Sequence, residues 1–181
     1  MQQVQLTPAI MTSTAQEGAR IPALKHDEAM AMTAEELRHF MVLIETLDAD
    51  DWQQPTACSL WTVRDIVAHQ AAHVTGFVTL GNLLGQFSPS LLRPYLKRGM
   101  SPLDAWNQSQ VDLRRQHTPA QLIAEISEAT DASLRGKARI PAWLRAPVLP
   151  APGLDQPRSL GYVFDVIYTR DMWMHRLDIC R

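Results

Sequence analysis

The sequence predicts an all-α fold: a bundle of four main helices with an additional short helix and a long proline-rich connection. Three observations carry the prediction. Several segments place apolar residues at helical spacing behind capping residues. No run alternates like a strand between turn pairs such as Asn-Gly. Prolines fall at helix starts or in the stretches between periodic segments, where a missing N–H does least harm.

Residues 1–28 lack periodicity and are rich in Gln, Thr, Ala and Pro, so they are expected to form a flexible leader ahead of one domain over residues 29–181. Thr33 with Glu36 reads as a capping box opening a helix to Leu47, with Leu37, Phe40, Met41, Ile44 and Leu47 on its apolar face. Asp48 to Leu60 holds Pro55 and no sustained period, hence a loop. Thr62 with Asp65 starts a second helix to about Leu84, weakened at its end by Gly81 and Gly85. A loop with Pro89 and Pro94 follows. Ser101 before Pro102 gives an N-cap with Pro at the first helical position, opening a helix to about Arg115. Thr118 and Pro119 repeat the signal for a helix carrying Leu122, Ile123, Ile126 and Leu134. Between Ile140 and Pro157 five prolines and one glycine predict a long irregular excursion, expected to lie over the bundle. Ser159 then caps a last helix running to the C-terminus.

Composition narrows the function. Among 181 residues, 17 basic against 19 acidic side chains give a net charge of −2 and a pI near 6.3, which argues against a nucleic-acid or anionic-membrane binder. No segment approaches eighteen consecutive apolar residues, so no membrane span is expected. The N-terminal stretch lacks the basic start and apolar run of a signal peptide. Cys58 and Cys180 alone do not make a disulfide framework, and the chain reads as cytoplasmic with reduced thiols.

Two helical stripes break their own hydrophobic pattern. In the first the row is Ile66, His69, His73, Phe77 and Leu80; in the last it is Phe164, Ile167, Tyr168, Asp171, Met174 and His175. Each polar pair is spaced i, i+4 and so shares one helical face, about 5–6 Å apart at Cβ. A carboxylate aimed at a core needs a partner, either a shared divalent metal or a hydrogen-bond network. Two imidazoles and a carboxylate match the three-ligand set of a zinc site with an open position, so His69, Asp171 and His175 are the candidate metal ligands. His73 could be a fourth ligand, an outer group or a proton shuttle, and Asp178 could accept from an imidazole N–H. Arg64 and Arg170 could hold a carboxylate substrate. Trp61 and Trp173 read as packing residues, and Cys58 as a buried inert thiol unless a cation lies beside it.

These residues also carry a resemblance. The block from Trp52 through Cys58, Trp61 and Asp65 to His69, and the closing block from Tyr168 through Asp171, His175 and Asp178 to Cys180, resemble the two signatures of the mycothiol-dependent maleylpyruvate isomerase family, part of the DinB-like superfamily of metal-binding four-helix bundles. The resemblance spans about residues 33–181. It implies a DinB-like bundle in which His69, Asp171 and His175 hold the metal, with Asp171 standing where the isomerase has Glu. It implies an enzyme that takes a divalent metal, zinc by its ligand chemistry, and mycothiol or another low-molecular-weight thiol as cofactors. Isomerisation or thiol S-transfer on a small electrophilic, carboxylated substrate is the expected reaction, with His73 moving a proton and Arg64 or Arg170 gripping carboxylates. A metal-dependent hydrolase and a non-enzymatic metal- or ligand-binding stress protein are the alternatives. A homodimer is left open.

Overall fold

The computed structural model describes residues 24–150 and 156–180. The helices are α1 (His26–Glu45), α2 (Val63–Gly76), α3 (Leu80–Gly85), α4 (Pro89–Leu96), α5 (Pro102–Leu113), α6 (Pro119–Ala138), α7 (Ala142–Arg145), α8 (Leu160–Tyr162) and α9 (Tyr168–Ile179). A five-residue π segment, Val163–Ile167, joins α8 to α9 in one continuous rod. The strands β1 (Val148–Leu149) and β2 (Arg158–Ser159) pair antiparallel, Val148 opposite Ser159.

Four long elements, α1, α2, α6 and the final rod, make the bundle expected for an all-α chain, and α5 flanks α2. Their core holds Leu37, Phe40, Ile44, Trp52, Val67, Ala71, Leu122, Ile126 and Met172. The central helix is α2, buried on nearly every side from Ile66 to Val74. Ala68, Ala71 and Ala72 leave its flanks slim enough for neighbours to close in all round. Its polar residues His69, Gln70 and His73 are therefore interior whichever way they point.

Capping chemistry accounts for where most helices begin. Thr62 Oγ1 accepts from the Asp65 N–H at 3.3 Å while Asp65 Oδ2 accepts from the Thr62 N–H at 3.2 Å, a reciprocal box at the start of α2. Ser101 caps α5 through the Asp104 N–H, Thr118 and Gln121 form the box of α6, and Ser159 caps α8 through the Tyr162 N–H.

Five sequence expectations need correction. Helix α1 starts at His26, where Glu28 accepts the Lys25 N–H at 3.0 Å. Thr33 lies inside it, with its hydroxyl donating back to the Ala29 carbonyl. The expected leader otherwise falls on residues 1–23, outside the described residues. The second helix ends at Gly76 and not near Leu84: the Gln86 amide donates to the Ala72 carbonyl and fills the space a Cβ at Gly76 would need. Thr79 then caps a separate α3, and Leu80 is exposed. Pro89 and Pro94 sit in α4, with Pro89 in its first turn, where no intrahelical N–H is required. The excursion from Ile140 to Pro157 contains α7 and β1, although residues 151–155 lie outside the described ones. Its described contacts reach the start of the final rod: Leu160 donates to the Pro147 carbonyl, and Arg145 pairs with Asp165. Finally, the π segment adds a residue to the rod's turn and shifts the register beyond it. Phe164, Asp165, Tyr168 and Met172 are buried, and Met174 is exposed.

Candidate metal centre

The box at Thr62 and the π segment together set which side chains meet between α2 and α9. Asp171 is the hub. Its Oδ2 lies 3.3 Å from His69 Nε2 and 3.3 Å from His73 Nδ1, and its Oδ1 lies 3.6 Å from His175 Nε2. One donor atom from each of His69, Asp171 and His175 falls within 4.8 Å of the other two. Ligands of a tetrahedral zinc, about 2.0–2.2 Å from the ion, sit roughly 3.4 Å apart. The two His–Asp separations, 3.3 and 3.6 Å, are close to that spacing. His69 is 1 % exposed, whereas the side chains of His175 and Asp171 are 12 % and 31 % exposed. The cluster thus backs onto the core and opens on one side to solvent, as a site with a free coordination position must.

Its charge state also suits a cation. Burial pushes the Asp171 carboxyl up, but the His69 hydrogen bond and the neighbouring imidazoles outweigh it and hold the group well below the usual carboxylate range. Burial and the fields of His69 and His175 press His73 well below an ordinary histidine, against the opposing pull of Asp171. Burial likewise lowers His175, only partly offset by Asp171. An ionised carboxylate beside the His175 ring, whose charged form burial disfavours, suits metal ligation. The outer contacts orient these groups. The Gln70 amide donates to Asp171 Oδ2 at 2.8 Å, and Asp178 Oδ2 lies 3.1 Å from His175 Nδ1, fixing the ring with Nε2 toward Asp171. The inner His69 nitrogen, Nδ1, has no partner among the described residues.

Aromatic rings wall the cluster. Trp61 lies 4.9 Å from His69 and 5.7 Å from His175, centroid to centroid. Trp106 stacks on His73 at 5.5 Å, and Tyr168 lies 4.6 Å from it. The arginines expected to grip substrate are elsewhere. Arg64 spends its guanidinium on the carbonyls of Arg114, Arg115 and His117 just beyond α5, a capping role. Arg170 is exposed beside Trp173, in a groove with Met32 and Glu36 on the α1 side. Neither hydrogen-bonds to the histidine cluster among the described residues. Trp173 is 47 % exposed and does not pack in the core as expected. The Cys58 thiol is pushed up by burial and by the Asp178 carboxylate, which fits the inert reading.

Two residues of the site, and one buried behind it, escaped the sequence reading. Gln70 is one residue from His69 and became visible only once α2 proved buried on every side. Trp106 comes from α5, where nothing in the sequence pointed to the site. Lys137 sits in the last turn of α6, where a lysine ordinarily reaches solvent, yet it is 3 % exposed.

The family model described as "Mycothiol maleylpyruvate isomerase N-terminal domain" matches residues 33–180, a span that holds both halves of the cluster. No curated protein and no solved structure matches the chain. Matched over most of its length and folded as a DinB-like helical bundle, the chain belongs to the mycothiol maleylpyruvate isomerase N-terminal domain family.

Proposed function

We propose that this protein is a metal-dependent enzyme that uses a low-molecular-weight thiol such as mycothiol to isomerise, or transfer the thiol to, a small electrophilic substrate. The observation that carries the reading is the convergence of His69, Asp171 and His175 within 4.8 Å in a chain of this family. These three side chains would hold the ion, with zinc the best match to two nitrogens and one oxygen. A bound divalent ion supplies Lewis acidity, favouring the thiolate over the thiol at neutral pH.

The remaining work falls to the chain. Gln70 and Asp178 keep Asp171 and His175 aimed inward. His73, 3.3 Å from Asp171, is the group placed to move a proton, and a bound substrate or ion would have to offset the burial that disfavours its charged form. Trp61 and Trp106 exclude water from two sides, which strengthens every charge interaction inside. With Arg64 engaged elsewhere, a carboxylated substrate would have to be recognised by groups outside the pair of arginines first expected.

The test is elemental analysis of purified protein beside His69→Ala, followed by turnover of an electrophile panel with and without thiol. One ion per chain, lost in the variant, together with thiol-dependent turnover, supports the reading. The neutral His73, 3.3 Å from Asp171, also favours a second reading, in which it serves as general base in a metal-dependent hydrolase. Thiol-independent ester hydrolysis by the loaded protein would select that reading. A metal-free protein would leave a non-enzymatic binding role.

A further inference from the structure

Helix α5 carries one aromatic wall of the cluster and reaches the other. Trp106 belongs to α5 and stacks on His73. Trp61 comes from the loop before α2, and that loop fixes only its backbone. The Trp61 N–H donates to the Cys58 carbonyl, and the Trp61 carbonyl accepts the Thr56 hydroxyl, both at 2.9 Å. Neither contact sets the side-chain torsions that aim the indole. Among the described residues the one acceptor for its ring N–H is Gln108 Oε1 of α5, at a long 3.5 Å.

Which end of the Gln108 amide faces Trp61 is decided by what lies behind it. Its Nε2 donates to Asp112 Oδ1 at 3.0 Å, and an ionised carboxylate can only accept. The amide oxygen is therefore the end left for the indole. Gln108 and Asp112 are spaced i, i+4, so one face of α5 presents both. Asp112 is held in its turn. The Tyr95 hydroxyl, from α4, donates to Oδ2 at 3.0 Å, and Arg115 donates to Oδ1 at 2.5 Å. Burial pushes the Asp112 carboxyl up, but its hydrogen bonds from Arg115, Gln108 and Tyr95 outweigh it and bring the group below its ordinary value. Asp112 thus stays an acceptor. At the other end of the chain, the indole meets both imidazoles proposed as ligands. Its ring centre lies 4.9 Å from that of His69 and 5.7 Å from that of His175, inclined to the two planes by 45° and 43°. One indole borders two rings at once, which only a narrow range of its torsions allows.

We propose that Gln108 and Asp112 are positioning residues of the candidate metal centre: they turn the N–H edge of Trp61 toward α5 and so hold the indole against His69 and His175. Neither hydrogen-bonds to the cluster among the described residues; both act through Trp61. Helix α5 then governs both walls, Trp106 directly and Trp61 through the relay, with Tyr95 of α4 at its far end. What this does for water exclusion and turnover rests on the functional reading above. The placement of the indole does not, because it is read on the metal-free protein.

The experiment records ¹⁵N–¹H correlation spectra of the five tryptophan rings in the metal-free protein, with the Trp61 signal assigned through Trp61→Phe. Nuclear Overhauser contacts report whether the indole lies against His69 and His175. In the wild type the Trp61 ring N–H should exchange slowly with water and both contacts should be present. Gln108→Leu fills the space without an acceptor. The Trp61 signal should move, its contacts weaken and its exchange accelerate by roughly two- to tenfold, the range expected of one neutral hydrogen bond. The other four ring signals should stay in place, which checks the fold. Gln108→Glu sets two carboxylates together and should displace the indole as well. Adding Asp112→Asn restores a donor–acceptor pair with the roles exchanged, and the wild-type signal and contacts should return. A merely space-filling glutamine would be replaced by leucine without effect and would show no such rescue. A wild-type Trp61 N–H exchanging as fast as a free indole, an unmoved Trp61 in Gln108→Leu, or a swap that restores nothing would overturn the proposal. The wild-type measurement tests it even where a variant does not fold.

Discussion

Asp171 shows how much one carboxylate organises: His69, Gln70, His73 and His175 all face it, and each contact fixes a different property. Gln70 and Asp178 touch Asp171 and His175, the proposed ligands, so Gln70→Leu and Asp178→Asn should leave metal stoichiometry intact while weakening zinc affinity about 10- to 100-fold, as outer contacts typically do. Competition with a chelator of known affinity measures this, and unchanged affinity would show that α2 and α9 alone position the ligands. His73 makes a separate prediction. Its folded form resists protonation, whereas the unfolded chain takes up that proton near pH 6.5. Below that pH the unfolded state binds more protons, so the metal-free protein should lose stability as pH falls. The slope from one such group is at most about 1.4 kcal/mol per pH unit. Denaturant titrations between neutral and mildly acidic pH should show it, and His73→Leu should flatten the slope relative to the wild type. A variant with the wild-type slope would assign the acid sensitivity to His175, whose protonation burial also disfavours.

At the scale of elements, what was legible in the sequence was local, and what was hidden was decided by contacts between helices. The caps at Thr62, Ser101, Thr118 and Ser159 stand where the sequence places them, because each depends on residues within one turn. The end of α2 depends on Gln86 packing back onto Ala72, and the π segment depends on what the final rod meets, so neither has a signature at helical spacing. Gly136 is another such case. Gly136→Ala improves intrinsic helix propensity, yet its Cβ would meet a backbone oxygen that cannot rotate away. The net effect should be destabilising by at least about 1–3 kcal/mol, visible as a lower denaturation midpoint; a neutral result would mean α6 can slide without cost. Burial lowers the neighbouring Lys137 amine to about 8, against about 10.4 in the unfolded chain. The penalty of holding it charged is complete below pH 8 and is relieved as pH rises from about 8 to 10.4. Lys137→Met should therefore stabilise the protein at neutral pH by an amount of order 3 kcal/mol, less whatever its hydroxyl contacts return. The gain should shrink across that alkaline window, which paired urea titrations at several pH values would reveal.

For the whole molecule, the two halves of the cluster are about a hundred residues apart in sequence, and the bundle is what joins them. His69, Asp171 and His175 were legible because polar residues interrupted apolar stripes on two separate helices; their convergence needed the tertiary fold, since neither stripe states which helix it faces. The arginine roles were not legible for the converse reason: a guanidinium reaches far, and Arg64 found the carbonyls beyond α5 first. An ion held by one residue of α2 and two of α9 binds only the folded chain, so it should act as a staple between these helices. At zinc concentrations about a hundredfold above Kd, binding to the native state alone adds about 2.7 kcal/mol. For a domain of this size that raises Tm by roughly 5–11 °C. The rise should vanish in His69→Ala and on chelation. It should also fade under acid conditions, where protons compete for the imidazoles. Burial disfavours the charged form of His175 and Asp171 stays anionic, so these two ligands oppose the fade. Differential scanning calorimetry at several pH values, with and without zinc, measures both effects. An equal zinc-induced shift in the wild type and His69→Ala would place the bound ion outside the α2–α9 cluster.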